Sequence, residues 1–322
     1  MTSEQLYANG RIAVLSTKLF GADKFARLAE CVALSEAVRV LVESNYGNGF
    51  TVSNPNDYEI LLKAELDEVM GLLKVLCFDK NAVRYLLCKY DYLNAKALMK
   101  AKYMRVDGVA NCFGNATFEP SQMQQAILDD DYSSFSKNMA IACDKVDMAF
   151  AEGNRSSHLL DLYLDQGMFA DMKHFARLSS IPLIWELYNW HVNTVNLMSI
   201  YRAKKAGFDV AQYADLVVEG ASISKQSLLN LFNETTYASS ELSDEYRSFY
   251  QLCTQDNVNL SVAESEQLRY NYKLIEQHSD FLTIQPVLQY FYKKVEEIGK
   301  IRYVMIAIKS GVDKEKIKDK LK

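Results

Sequence analysis

Three consecutive carboxylates, Asp129, Asp130 and Asp131, form the densest group of potential metal ligands in the chain. All-helical prenyl-transfer enzymes hold magnesium through a DDxxD pattern, because a small hard cation needs several oxygen ligands in near-octahedral geometry. Here the fifth residue of that window is Ser133 and no second acidic motif follows, so the cluster reads as a charged helix end or loop. Asp171 and His174 have the spacing of a Glu-x-x-His pair in di-iron bundles, but the second motif and the further carboxylates of such a site are missing. His158, His191 and His278 have no metal-ligand spacing, and His191 falls inside a helical pattern that predicts a packed or half-exposed imidazole. No GxxxxGK[ST] loop is present to cradle phosphates, and no G-x-S-x-G turn to present a nucleophile. The six cysteines, Cys31, Cys77, Cys88, Cys112, Cys143 and Cys253, contain no CxxC pair and read as thiols in a reducing compartment with no secretory leader ahead of them. No catalytic residue, cofactor site or metal site is predicted.

The elements around these residues repeat. Pro182 to Asp209 recurs 104 residues later at Pro286 to Asp313, each copy running from proline through a long amphipathic stretch to glycine and then aspartate. Proline suits a helix's first turn, where an N–H has no partner within the helix. Gly207 and Gly311 follow Lys204/Lys205 and Lys309, where cations favour the carbonyl end of the dipole and glycine favours a left-handed cap. Asp209 and Asp313 can then cap the next helix, Asp209 with Gln212 in position for a capping box. A weaker third copy, Tyr85 to Lys102, matches at a shift of 102, pairing Asn94 with Asn196 and Lys100 with Arg202. Its residues Leu86, Tyr90, Leu93, Ala97, Ala101 and Met104 predict one buried helical face, with Asn94 in or beside it and in need of a partner. Gly220 with Ile223 occupies a corner comparable to Val106–Pro120.

With 4 Pro and 13 Gly in 322 residues, long helices are favoured over strands. The net charge of −5 gives no footprint for nucleic acid, and the C-terminal lysines from Lys314 to Lys322 alternate with Asp313, Glu315 and Asp319 as on a solvated helix. No run of about 18 apolar residues exists to span a membrane. The expected division is 1–120 for the N-terminal helices and first repeat, 121–236 for the second repeat and 237–322 for the third, packed as one continuous body, with Tyr237 to Asp244 as an inter-repeat loop. Stacked helical units of this kind usually present a binding surface.

Four stretches carry a family resemblance: Lys89 to Lys102 (KYDYLNAKALMKAK), Asn196 to Asp209 (NLMSIYRAKKAGFD), Val218 to Ile223, and Pro286 to Leu321. With Tyr7, Arg11, Leu15, Leu19 and Ser44 to Gly47, they make nearly the whole chain resemble the C subunit of the prokaryotic V-type (A/V-type) ATPases, the relative of the d subunit in vacuolar ATPases. The most specific elements are Asp91, Asn94 and Lys96 in a D-x-x-N-x-K order and the proline-to-glycine order of the C-terminal stretch. Asn193 departs from the acidic residue often found three before the second-repeat asparagine, and Trp190-His191 is unusual there.

The resemblance implies an all-α fold of three similar helical repeats arranged with pseudo-threefold symmetry as a funnel. It implies a noncatalytic rotor part at the inner, cytoplasmic face of the membrane, seated on the proteolipid ring and receiving the D- and F-type subunits of the central shaft, in ATP-linked proton or sodium transport. The expected interface or structural residues are Asp91, Asn94, Asn196, Arg202, Gly207, Gly220, Arg302 and Gly311, with the corners at Gly207, Gly220 and Gly311 on a ring-facing or shaft-facing rim. A helical-repeat adaptor of another complex shares the same periodic features, and a metal-dependent prenyl-transfer enzyme using Asp129 to Asp131 is the remaining alternative.

Overall fold

The computed structural model describes residues 3–106, 108–233, 242–255, 260–278 and 283–321. Among these the chain forms fifteen α-helices, two short 3-10 turns and no strand. The helices are α1 (Ser3–Ser16), α2 (Ala22–Ala29), α3 (Leu34–Glu43), α4 (Glu59–Leu76), α5 (Lys80–Met104), α6 (Pro120–Leu128), α7 (Lys137–Ala151), α8 (Ser157–Leu178), α9 (Pro182–Lys205), α10 (Val210–Leu216), α11 (Lys225–Asn233), α12 (Asp244–Thr254), α13 (Leu260–Gln277), α14 (Gln285–Lys309) and α15 (Lys314–Leu321). The expected all-α class is therefore what the chain adopts. The boundary at residue 236 and most of the loop expected at Tyr237 to Asp244 lie outside the described residues.

Two compact units emerge from the packing. The first gathers Met1–Phe78, Asn111–Gln122 and Ser279–Lys322. Here α14 lies against α1, α2, α3 and α4. Leu61, Leu62, Met70 and Leu73 of α4 and Leu288, Ile301, Val304 and Met305 of α14 are buried in its core. Each such side chain removed from water contributes about 1.5–3 kcal/mol before chain entropy is counted. The N-terminal helices expected at the start of the chain begin with three short ones, α1, α2 and α3. α14 starts one residue earlier than proline alone suggests, with Pro286 second in the helix, where an N–H is equally unneeded.

The second unit gathers Asp79–Ala110 and Met123–His278. In it α5 and α7 pack on α8, α8 on α9, and α9 on α10 to α13. Asp79 starts α5 by accepting from the N–H groups of Asn81 and Ala82 at 2.8 and 2.9 Å. α5 and α8 run antiparallel, as two ion pairs record: Lys96 with Asp165 at 2.7 Å and Lys100 with Asp161 at 2.8 Å. Gly167 permits the close approach of three helices, since a Cβ there would stand 3.0 Å from Ala142 of α7 and 3.0 Å from the Tyr92 ring of α5. The buried face of α5 is wider than the expected stripe. It includes Leu87, Cys88, Tyr92, Ala95, Leu98 and Met99, while Leu93 and Met104 are exposed.

Candidate functional site

Two of the candidate glycines close the repeated helices. Gly207 and Gly311 adopt φ of +75° and +68°, and each donates its N–H back into its helix, to Lys204 and Ile308 at 3.1 Å. The following residues donate to the carbonyls five positions back, Phe208 to Ala203 at 3.0 Å and Val312 to Ala307 at 2.9 Å, completing Schellman caps. α5 ends identically: Arg105 takes φ +56°, its N–H reaches Lys102, and Val106 donates to Ala101 at 3.1 Å. Sequence reading placed a corner from Val106 onward but missed this cap, because arginine stands where glycine was sought. The signal was present in Ala101, Val106 and Asp107, which match Ala203, Phe208 and Asp209 at the same shift of 102. Beyond the second corner the capping box forms as expected, with Asp209 accepting from Gln212 N–H at 2.8 Å and Gln212 Oε1 from Asp209 N–H at 2.9 Å.

Asn196 and Gly220 belong to one arrangement. Fully buried on α9, Asn196 donates through Nδ2 to the Val218 carbonyl and accepts at Oδ1 from the Val218 N–H, both at 2.9 Å. One turn earlier, buried Asn193 donates to Ser222 Oγ at 2.7 Å and accepts from Ile223 N–H at 3.3 Å. Two amides therefore pin the segment 218–223, which has no secondary-structure partner of its own. Gly220 lies between the pins at φ +99°, and a Cβ there would fall 1.9 Å from Nζ of Lys173.

The other candidates divide by exposure. Asp91 and Asn94 are buried on α5. Arg202 meets Glu264 at 3.5 Å with both side chains open to water, a pair worth little to stability. Arg302 makes a forked contact with Glu59, Nε to Oε1 at 2.9 Å and Nη2 to Oε2 at 3.1 Å, joining α14 to the start of α4.

Three polar clusters were not anticipated. In the first unit Lys294 reaches Glu65 at 2.5 Å and Glu297 at 2.7 Å, all three buried. Glu65 also accepts from Gly47 N–H, and Glu297 from Phe20 N–H, each at 2.7 Å. Burial works to lower the pKa of Lys294, but the charges of Glu297 and Glu65 outweigh it and hold the ammonium above its ordinary value. Burial, then the same two carboxylates, raise that of Tyr46, whose ring lies 4.5 Å from Lys294 Nζ. Glu297 was traceable by the shift of 104 from Asn193, and Asp91 by the shift of 102. These equivalent positions are all buried and polar.

In the second unit Asp171 accepts from Tyr92 Oη and Asn138 Nδ2, both at 2.8 Å, and from Ser136 Oγ. Its ligand capacity is thus engaged in joining α5, α7 and α8, away from any role with His174. Asp147 accepts from Lys102 at 2.9 Å and from the hydroxyls of Tyr103 and Tyr132. Lys102 also pairs with Asp130, whose carboxyl this hydrogen bond lowers in pKa. Asp129 accepts from Gln125 and Asp131 from Ser133 N–H, so the three consecutive carboxylates serve three separate local contacts. Among the described residues no group of three or more His, Cys, Asp or Glu is placed to hold a metal ion, and no helix is long and apolar enough to cross a membrane.

The sequence profile of the ATP synthase (C/AC39) subunit matches residues 8–320. The chain is similar to the A-type ATP synthase C subunit of Thermococcus kodakarensis, 23% identical over 336 residues that cover 97% of this chain and 89% of that one. It is likewise similar to that of Methanosarcina mazei, 21% identical over 353 residues covering 99% and 93%, and to that of a Desulfurococcus species, 24% identical over 343 residues covering 97% and 89%.

Proposed function

The chain belongs to the ATP synthase (C/AC39) subunit family, and from that premise we propose that it is the noncatalytic central-stalk component of a rotary V-type ATPase or ATP synthase. It couples the central shaft to the membrane proteolipid ring in ATP-linked proton or sodium transport, at the cytoplasmic face of the membrane and without a bond-making step of its own. The observation that carries this is the family match across residues 8–320, which takes in both compact units and all three repeated helices.

The physical features accord with such a role. A coupling between a turning shaft and a ring must transmit strain with little compliance, which close-packed interiors do. Three helical segments, bounded near residues 120 and 236, surround a pseudo-threefold axis in this proposal and form a socket for the D- and F-type shaft subunits. Asp91, Asn94 and Asn196 stiffen the segments from within. Arg202, Gly207, Gly220, Arg302 and Gly311 lie at or near their rims. The combined interfaces with shaft and ring exceed roughly 2,000 Å², the range of permanent assemblies.

The test is recovery of the affinity-tagged chain from native membranes, followed by identification of its companions and electron microscopy of the complex. Proteolipid and shaft subunits should co-purify. Recovery of a helical complex lacking both would sink the proposal in favour of an adaptor for another assembly.

A further inference from the structure

α10 and α15 follow the two copies of the sequence repeat and correspond position for position. Each comes after a glycine corner and an aspartate, and each buries one side chain, Tyr213 in α10 and Ile317 in α15, at the same place in the repeat. They are fastened in opposite ways. α10 is closed by the capping box of Asp209 and Gln212, and its Tyr213 stacks on the Phe232 ring of α11 with centroids 4.7 Å apart and donates to the Asn196 carbonyl at 3.3 Å. None of these contacts joins two charges.

In α15 Lys316 stands at the place of Gln212, and an ammonium has no lone pair with which to accept from the Asp313 N–H. The reciprocal box is lost, and Asp313 accepts from the Glu315 N–H at 3.0 Å. The aromatic anchor is reduced to an isoleucine. Charge makes the attachment to α2: Lys318 reaches Oε1 of Glu30 at 2.5 Å, and Lys314 reaches Oε2 at 3.4 Å and the Glu30 carbonyl at 2.5 Å. Glu30 is the residue that ends α2, so Lys314 also places a cation at the negative pole of that helix. All three side chains are partly open to water, where salt screens their attraction. Off its seat α15 is not a stable helix, because it is eight residues long and sets Lys314 against Lys318 and Lys316 against Lys320 as like charges four apart.

We infer that α15 is a hinged strap, latched to α2 through Glu30, anchored by Ile317 and pivoting at Gly311, that opens as ionic strength rises. Gly311 suits the pivot, since it holds φ +68° and no atom stands within 4 Å of a Cβ placed there. Opening releases Lys314 and Lys318 from Glu30 and presents the segment 314–322, five lysines against two carboxylates, as a basic tail. The inference goes beyond the proposed function and does not depend on it.

Hydrogen exchange of the full chain, resolved by peptide, tests the strap with α10 as the control inside the same molecule. Raising sodium chloride from about 0.05 M to about 0.5 M should speed exchange of the α15 amides by about twofold or more relative to those of α10. Glu30→Gln keeps the side chain's shape and removes the latch. It should speed α15 by about 2- to 30-fold at low salt, the range for two exposed ion pairs, after which added salt changes nothing further. The double variant Lys314→Gln, Lys318→Gln should behave in the same way. Exchange in α15 that ignores salt, α10 and α15 speeding together, or a Glu30→Gln chain that matches the parent or still responds to salt overturns the inference.

Discussion

Replacing Lys294 with methionine tests whether the buried trio of Glu65, Lys294 and Glu297 holds the first unit together through charge. Methionine keeps most of the lysine stem's volume, so little cavity is created. What changes is that two carboxylates, formerly 2.5 and 2.7 Å from one ammonium, face each other without it. Neither can swing out to water at no cost, because Glu65 is held by the Gly47 N–H and Glu297 by the Phe20 N–H. Removing one member of a buried ionic group typically costs about 3–5 kcal/mol, and that is the expected loss at pH 8. In the parent chain the contribution of this lysine does not vary across neutral pH. Its raised pKa means its contribution is fully present below the ordinary lysine value near 10.4 and is lost only as pH rises through the folded one.

Tryptophan fluorescence does not report on this unit, since Trp185 and Trp190 both lie in α9 of the other. Native-state hydrogen exchange of the α4 and α14 amides reads it directly. The triple variant Glu65→Gln, Lys294→Met, Glu297→Gln removes all charge while leaving an acceptor for each of the two N–H groups, and it should recover most of the loss. A deficit below about 1 kcal/mol, or a triple variant no better than the single one, would refute the reasoning.

Asn196→Ala removes the side chain that holds both backbone groups of Val218, and should cost about 2–4 kcal/mol as two buried polar groups lose their partner. Urea titration followed by the two α9 tryptophans measures it. Arg105→Gly should stabilise the second unit by about 1 kcal/mol by relieving a left-handed non-glycine residue, whereas Gly207→Ala should destabilise it by a similar amount. No atom lies within 4 Å of a Cβ at Gly207, so the backbone alone sets that cost, and the same titration reads both. Burial, aided by the charge of Lys89, lowers the pKa of half-buried His191 to about 4 from 6.5. The folded state therefore disfavours the imidazolium: stability is complete above about pH 6.5 and falls by roughly 2–3 kcal/mol as pH drops to 4. His191→Gln should flatten that limb of the pH–stability curve.

Helix class and the punctuation of α9 and α14 were legible because they rest on local chemistry: a missing N–H at proline, a missing Cβ at glycine, a short carboxylate at Asp209. The corner at Arg105 shows the limit of such signs. A left-handed residue is favoured by glycine without requiring it, and only the neighbours Ala101, Val106 and Asp107 reveal the shared cap. Width of burial was also beyond periodicity. The predicted stripe on α5 assumed one packed face, but Gly167 brings α7 and α8 against it together, so Tyr92 and Met99 are covered while Leu93 is left in water. The polar clusters draw on residues far apart in sequence, such as Gly47 with Glu65 and Lys294, and no local pattern marks a partnership of that span. Asp130 makes the same point: the cluster was read as a charged helix end or loop, and nothing local marked Lys102 of another helix as its partner.

The buried polar residues at equivalent places in α5, α9 and α14, namely Asp91, Asn193 and Glu297, address a weakness of long helices packed through aliphatic side chains. Apolar contacts are non-directional, and a helix displaced by one turn, about 5.4 Å, can recover much of the area it lost. A buried amide or carboxylate cannot, because its partner is a single donor or acceptor and the displaced group is stranded at about 1–3 kcal/mol or more. Asn193 is tied to Ser222 and Ile223 and Glu297 to Phe20 and Lys294, so the same position sets register through different partners. Stability alone does not account for this, since apolar residues of matching volume would often stabilise such positions as well or better. Resistance to sliding does, and it is the property that the proposed coupling role would require. Asn193→Leu should therefore leave the unfolding free energy within about 2 kcal/mol of the parent while raising hydrogen exchange across 218–223. A variant whose exchange there is unchanged would show that the amide specifies nothing beyond its own burial.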